Sequence, residues 1–455
     1  MIRTSRRLQP ALLALALVAC GTSGPSATVS EPGASSLVPS GSASASPAVG
    51  AVDPAPGSSS AVYEPSPGAI VVAVDAGHGG CLDWGVADPS ERGVEWAEKT
   101  LTLGIAQRLR DRLEADGIGV VMIRDADEAL AGDNEPDFGC DGPPWRDVDG
   151  DGNSGFEESG RIRTRDELQA RIDLANLAGA DAFVSIHINS PTEGGQVIEV
   201  AFGETFYDDE TSWGPDESAS LAAAIQRGAV AAIDPLTTYE RQDRGIEAVA
   251  YYAISRAWAE GDTCEHEGDE YCKPHRGLLM PSALSEVGSI TLRAEHDLLA
   301  SDAGQAAVAD GIFNGLGEYF NGRGLAARIG LEGEPQGTTP TPLPGDGPLF
   351  WPPLAPGEDL AVRVTNNGTE AWSEGGHLVA GWGVTDAPYL SEAPSDLAVL
   401  APDIPDLAPG ESILVDVTMP EPPAGRAVAW ISLEADGERL SDLGSPPLQL
   451  SSEAP

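Results

Sequence analysis

Two short apolar runs, each ending in a histidine, constrain this chain more than any other feature. Val71–Gly80 reads VVAVDAGHGG and Ala180–Ser190 reads ADAFVSIHINS. A β-branched run without polar alternation is the pattern of a strand buried on both faces. Such strands deliver their last side chains to the C-terminal edge of a parallel sheet. His78 and His187 are therefore expected at one edge. Between them, Glu95–Leu103 (EWAEKTLTL) opens a helix whose apolar residues Leu101, Ile105, Leu109 and Leu113 recur at helical spacing. Glu98 lies at its start, where the positive end of the helix keeps a carboxylate ionised. Glu91 and Glu95 compete for the same role, but the adjoining Lys99 and the helical phase favour Glu98. Two His with one Glu form a catalytic zinc ligand set that leaves the fourth position open for water. Far downstream, Pro281–Ser289 (PSALSEVGS) puts Glu286 mid-strand between Leu284 and Val287. An unpaired charge there is costly, which favours a functional role, that of general base.

Strand and helix alternate through this region. Strands are predicted at 70–74, 118–123, 182–188, 197–202 and 282–287, and helices from Glu98 and over 165–178, 218–233 and 302–320. The pattern predicts an α/β fold, a mostly parallel sheet with helices on both faces. Asp75 and Asn189 flank the two histidines and are candidates for orienting the ligands.

The ordered set resembles the zinc-dependent N-acetylmuramoyl-L-alanine amidases over residues 69–322. Their first strand ends in D-P-G-H-G-G, with Ala76 here in place of the proline. Glu98, Lys99 and Leu103 match E-K-x-x-x-L, and Arg124 and Asp127 match T-R-x-x-D with Ile123 for the threonine. Arg171, Ala175 and Asn176 match R-x-x-x-A-N, and Ser185, Ile186, His187 and Asn189 match S-I-H-x-N. Pro281, Leu284, Glu286 and Gly288 match P-x-x-L-x-E-x-G. Asp243, Arg244 and Gly245 match a D-R-G to which no role is assigned. The resemblance implies Zn²⁺ held by His78, Glu98 and His187, Glu286 as general base, and peptidoglycan as substrate. The bond cut would join the lactyl group of N-acetylmuramic acid to L-alanine. The residues alone give metal-assisted hydrolysis of an amide or ester. A zinc peptidase acting on other wall peptides shares the same site. A non-catalytic wall-binding lipoprotein is a further alternative, though a relic has no reason to keep all four residues.

Residues 1–20 read as an export signal, with Arg3, Arg6 and Arg7 ahead of an apolar stretch too short to span a bilayer. It ends Leu17-Val18-Ala19-Cys20, resembling a bacterial lipobox. Cys20 is then lipidated and anchors the protein to the outer face of the cell membrane; plain secretion is the alternative. Residues 21–68, rich in Ser, Ala, Pro and Gly, bury too little apolar surface to fold and read as a tether. In an exported chain the four remaining cysteines, Cys81, Cys140, Cys264 and Cys272, suggest two disulfides with three possible pairings. Cys264 with Cys272 would close a short acidic loop and leave Cys81 with Cys140. A Cys-ligated metal is disfavoured, because no CxxC pair exists. His266 and His275 bracket Cys272 and read as loop residues. The formal charge of −46, with Lys99 and Lys273 the only lysines, argues against nucleic acid and anionic lipid surfaces as partners.

Within an insert at 130–164, Asp147, Asp149, Asp151, Gly152, Asn153 and Glu158 fit D-x-D-x-D-G-x5-E, the spacing of a calcium loop. Ser154 stands where an apolar residue is usual, and Gly139–Pro144 cannot form an incoming helix. The expectation is an isolated Ca²⁺ loop, a solvated acidic insertion being the alternative. Residues 323–344 read as a linker. Beyond it, 345–455 carries short alternating strands between Pro/Gly turns. Arg363–Trp372 (RVTNNGTEAW), Leu407–Ser412 (LAPGES) and Trp430 resemble small immunoglobulin-like β-sandwich modules. A cell-surface partner or a passive spacer role are both open for this module.

Overall fold

The structure, a computed structural model, describes residues 69–86, 92–152, 154, 163–193, 195–210, 214–249, 251–257, 275–332, 359–373 and 376–452. Cys20, Asn153, Glu158, Cys264, His266 and Cys272, with the expected signal and tether, lie outside them.

The N-terminal part of the described chain is built on six strands: β1 (Val71–Ala76), β2 (Gly119–Met122), β3 (Ala182–Asn189), β4 (Phe202–Tyr207), β5 (Gln242–Ala248) and β6 (Ser282–Ser289). Their order is β2-β1-β3-β6-β4-β5, every pairing parallel except β6 with β4. The expected mostly parallel sheet is therefore a mixed one, reversed at β4. The strand expected over 197–202 lies five residues later. Gln196–Val197 instead forms a two-residue ladder with Thr192–Glu193.

Side chains leave β1 alternately to two cores, as a period of two demands. Val72, Val74 and Ala76 join the core that receives α1 (Glu98–Ala115), α3 (Pro215–Ile233) and α5 (Asp302–Asn321). Val71 and Ala73 join the opposite core, under α2 (Arg163–Leu177). A short α4 (Arg293–Leu299) lies between β6 and α5. Both sheet faces are covered, which is why β1 and β3 carry almost no polar residue in their interiors.

The C-terminal region holds antiparallel sheets. One pairs β7 (Ala327–Leu331), β8 (Asp359–Asn366) and β11 (Ser412–Thr418). The other pairs β9 (Gly376–Val384), β10 (Ala398–Ile404), β12 (Ala427–Ala435) and β13 (Leu448–Ser451). They share a core around Val364, Trp372, Leu378, Ile431 and Leu433. The stretch read as a linker over 323–344 thus contributes β7 to this region. Tyr389 and Trp430 also pack into the α2-side core. Among the described residues no helix is long and apolar enough to cross a membrane.

Candidate metal centre

His78 leaves the end of β1 in a left-handed conformation, φ 62°, which few non-glycine residues adopt. The surrounding contacts hold it there. Arg171, buried in α2, donates to the Asp75 carboxylate at 2.5 Å, the Ala76 carbonyl at 3.0 Å and the His78 carbonyl at 2.8 Å. Arg124 donates to the carbonyls of Ala76, Gly77 and Lys99. Lys99 caps the turn from the other side, donating to the Gly80 carbonyl and to Asp127. The three cations of the E-K, T-R and R-x-x-x-A-N motifs therefore fasten one turn.

Glu98 is the first residue of α1 and fully enclosed. Its Oε2 accepts Val86 N–H at 2.8 Å and its Oε1 accepts Ile188 N–H at 2.9 Å. Around that carboxylate stand both imidazoles, His78 Nε2 at 3.2 Å from Oε2 and His187 Nδ1 at 3.1 Å from Oε1. The two rings meet edge to face with centroids 4.8 Å apart. Potential donor atoms from all three residues lie within 4.8 Å of one another. Glu95 is exposed, and Glu91 lies outside the described residues.

His78 Nδ1 meets Asp83 Oδ1 at 2.8 Å. With Nδ1 held by Asp83, Nε2 is the nitrogen turned toward Glu98, the arrangement that orients a metal-binding imidazole. Burial opposes charge on His78, yet the Asp83 and Glu98 carboxylates hold its pKa well above the ordinary value. Burial likewise opposes ionisation of Glu98 and Asp83, and His78, joined by His187 at Glu98 and by Arg171 at Asp83, keeps both below the usual carboxylate range. Two imidazoles and an ionised carboxylate converging at this distance fit a borderline-soft cation such as Zn²⁺.

Glu286 completes the group. It is the register partner of His187 across β3 and β6, so its side chain leaves the sheet on the same face. Its Oε2 is shut off from solvent and accepts no hydrogen bond among the described residues. Burial, reinforced by Glu98 and Glu204, pushes its pKa well above the ordinary value. A buried carboxylate oxygen without a partner is unfavourable unless it awaits one.

Asp75 and Asn189 do not bond the histidine side chains. Asp75 bonds Arg171 and Ser185, and Asn189 donates to Glu204. The orienting carboxylate is Asp83, five residues beyond His78 and outside any motif used in the sequence. Cys81 and Cys140 form a disulfide that ties the insert to the loop after His78. Asp147, Asp149 and Asp151 come together, but the buried Arg165 guanidinium stands against Asp149 at 2.8 Å and Asp151 at 3.0 Å.

Comparison with known proteins converges on one family. The N-acetylmuramoyl-L-alanine amidase family (Amidase_3) matches residues 72–318. The chain is 26% identical over 258 residues to the uncharacterised protein YqiI of Bacillus subtilis (strain 168), covering 57% of this chain and 88% of that one. It is 24% identical to the germination-specific N-acetylmuramoyl-L-alanine amidase of the same organism, covering 56% and 81%. Among solved structures, the CwlD amidase of Clostridioides difficile in complex with the GerS lipoprotein is 22% identical, covering 55% of this chain and 98% of that one at a TM-score of 0.37. The family match spans more than half of the chain and contains all four residues of the centre: the protein belongs to the N-acetylmuramoyl-L-alanine amidase family.

Proposed function

We propose that this protein is a zinc-dependent N-acetylmuramoyl-L-alanine amidase that hydrolyses the amide between the lactyl group of N-acetylmuramic acid and L-alanine in peptidoglycan. The observation that carries the reading is Glu286, a half-buried carboxylate beside the His78–Glu98–His187 cluster whose Oε2 is shut off from solvent and unpartnered among the described residues. His78, Glu98 and His187 would hold the ion. Bound zinc supplies Lewis acidity, lowering the pKa of water and polarising the scissile carbonyl. Glu286 takes the proton of the attacking water and returns it to the leaving L-alanine amine. A pKa raised above the ordinary carboxylate range makes Glu286 the better acid for returning that proton. Asp83 fixes the His78 tautomer, and the Val86 and Ile188 amides fix Glu98. Glu286→Gln keeps the shape and removes the base. It should abolish turnover while metal content by atomic absorption stays at the wild-type level; retained turnover sinks the assignment.

A zinc peptidase would use the same residues, and the family match favours the amidase. The family places the reaction outside the cytoplasm, and anchoring through Cys20 is proposed on the lipobox alone. A Ca²⁺ loop at Asp147, Asp149, Asp151, Asn153 and Glu158 is proposed on the clustering of the first three. Calcium must displace Arg165 there. A rise in melting temperature with Ca²⁺ and not Mg²⁺ is expected, and no shift would reject the loop. The C-terminal region is proposed as an immunoglobulin-like sandwich, supported by its antiparallel sheets around Trp372. A cleft of about 500 Å³ there, lined by His377, Asp403, Glu434 and Asp436, offers an acidic surface to a cell-surface partner.

A further inference from the structure

Register places a line of side chains across the sheet. His187 pairs with Glu286, and Glu286 pairs with Glu204, so the three stand in one row on β3, β6 and β4. On β5 the register slips. Gly203 pairs with Asp243 and Thr205 with Ile246, leaving Arg244 and Gly245 together opposite Glu204, with Gly245 at φ 74°. A bulge of this kind re-aims a side chain. Here it turns Arg244 back along the row.

The guanidinium lies 3.4 Å from the centroid of the Phe202 ring, which fixes its plane. Its Nη1 pairs with Glu204 Oε1 at 3.6 Å, and that oxygen also accepts from Asn189 at 3.0 Å. The Arg244 side chain is 35% exposed. A guanidinium stacked on Phe202, paired through Nη1 with Glu204 and still partly exposed therefore sits beside the centre, a cation in a row otherwise carrying the carboxylates Glu286 and Glu204.

We propose that Arg244 is the specificity residue for the leaving-group side of the substrate, receiving the free carboxylate of the acidic second residue of the stem peptide. The assignment rests on the amidase reading above. A scissile carbonyl between His187 and Glu286 leaves Arg244 two strands beyond Glu286, roughly 10 Å at the usual strand spacing. The reach of the arginine side chain and one further peptide residue, about 3.5 Å of chain, span that gap. Bidentate Arg–carboxylate pairing is directional as well as strong, so a free carboxylate is distinguished from its amide.

The test uses the zinc-loaded protein and two soluble probes, N-acetylmuramoyl-L-alanyl-D-glutamate and its D-isoglutamine amide. Wild type should favour the acid by about tenfold or more in kcat/KM, the scale of one well-placed charged pair. In Arg244→Gln that ratio should fall to near one, and in Arg244→Lys part of it should return. Isothermal titration of the Glu286→Gln protein with L-alanyl-D-glutamate should show binding that Arg244→Gln removes. A wild type that cleaves both probes without preference overturns the assignment. So does an Arg244→Gln that slows both probes equally, because Arg244 would then only support Glu204. A zinc-loaded wild type that releases no product from either probe or from peptidoglycan overturns the amidase reading itself.

Discussion

At the scale of single residues the centre depends on missing side chains as much as on present ones. A Cβ on Gly77 would run into the His187 ring, and a Cβ on Gly85, itself at φ 64°, would run into both the His78 ring and Glu98 Oε2. Gly77→Ala and Gly85→Ala should each lose zinc affinity while keeping the far-ultraviolet circular dichroism of the wild type; a fully metallated variant would contradict this. Asp83→Ala removes the acceptor that orients His78. It should weaken zinc binding about 10–100-fold, the usual cost of such a partner, as read by competition with a chromophoric chelator. His78 and Glu98 stood out in the sequence because each borders a regular element with a strong apolar period, and His187 and Glu286 because each interrupts an apolar strand. Asp83 was not: it lies in an irregular loop, where no periodicity says which way a carboxylate points.

Elements place these residues, and α2 does much of it. Arg171 ties α2 to Asp75 and to the His78 carbonyl, so the helix acts as a splint for the turn. At the start of α2, Asp166 accepts N–H bonds from Val148 and Asp149, yet burial, with Asp149 and Asp147 nearby, lifts its pKa from the ordinary 3.8 to about 7. Between roughly pH 4 and 7 the folded state therefore binds more protons than the unfolded chain, and stability falls as pH rises through that window. Asp166→Asn should flatten this part of the stability–pH curve measured in chelator, and an unchanged slope would contradict the assignment. Strands were legible in proportion to their burial. The apolar β1, β3 and β6 were found close to their observed bounds. The edge strand β5, QDRGIEA, exposes most of its residues and carries no apolar alternation. It could not be read from pattern, although it presents Arg244.

For the whole molecule, the C-terminal region is bound to the amidase region through buried polar contacts. Asp181, with no exposed surface, accepts from Val71 N–H at 2.8 Å, Asn367 at 2.7 Å, Arg323 at 3.3 Å and Arg328 at 3.2 Å. Tyr389 donates to Asp173 of α2 at 2.8 Å. Removing one partner of such a group leaves buried charge uncompensated. Asp181→Ala should therefore cost about 3–5 kcal/mol in urea unfolding, and a loss below about 1 kcal/mol would mean the two regions are only loosely joined. The sequence allowed a spacer because nothing in a short apolar strand names the surface that it covers, and Arg323 and Arg328 fell within an expected linker.

The activity proposed for this site is a metal-dependent cut at one bond of the cell wall. Purified protein spanning residues 69–455 should release intact stem peptides with a free L-alanine amine from peptidoglycan, identified by mass spectrometry. A zinc chelator should stop the release and added Zn²⁺ restore it. Products cut within the peptide, or release unaffected by the chelator, would contradict the account.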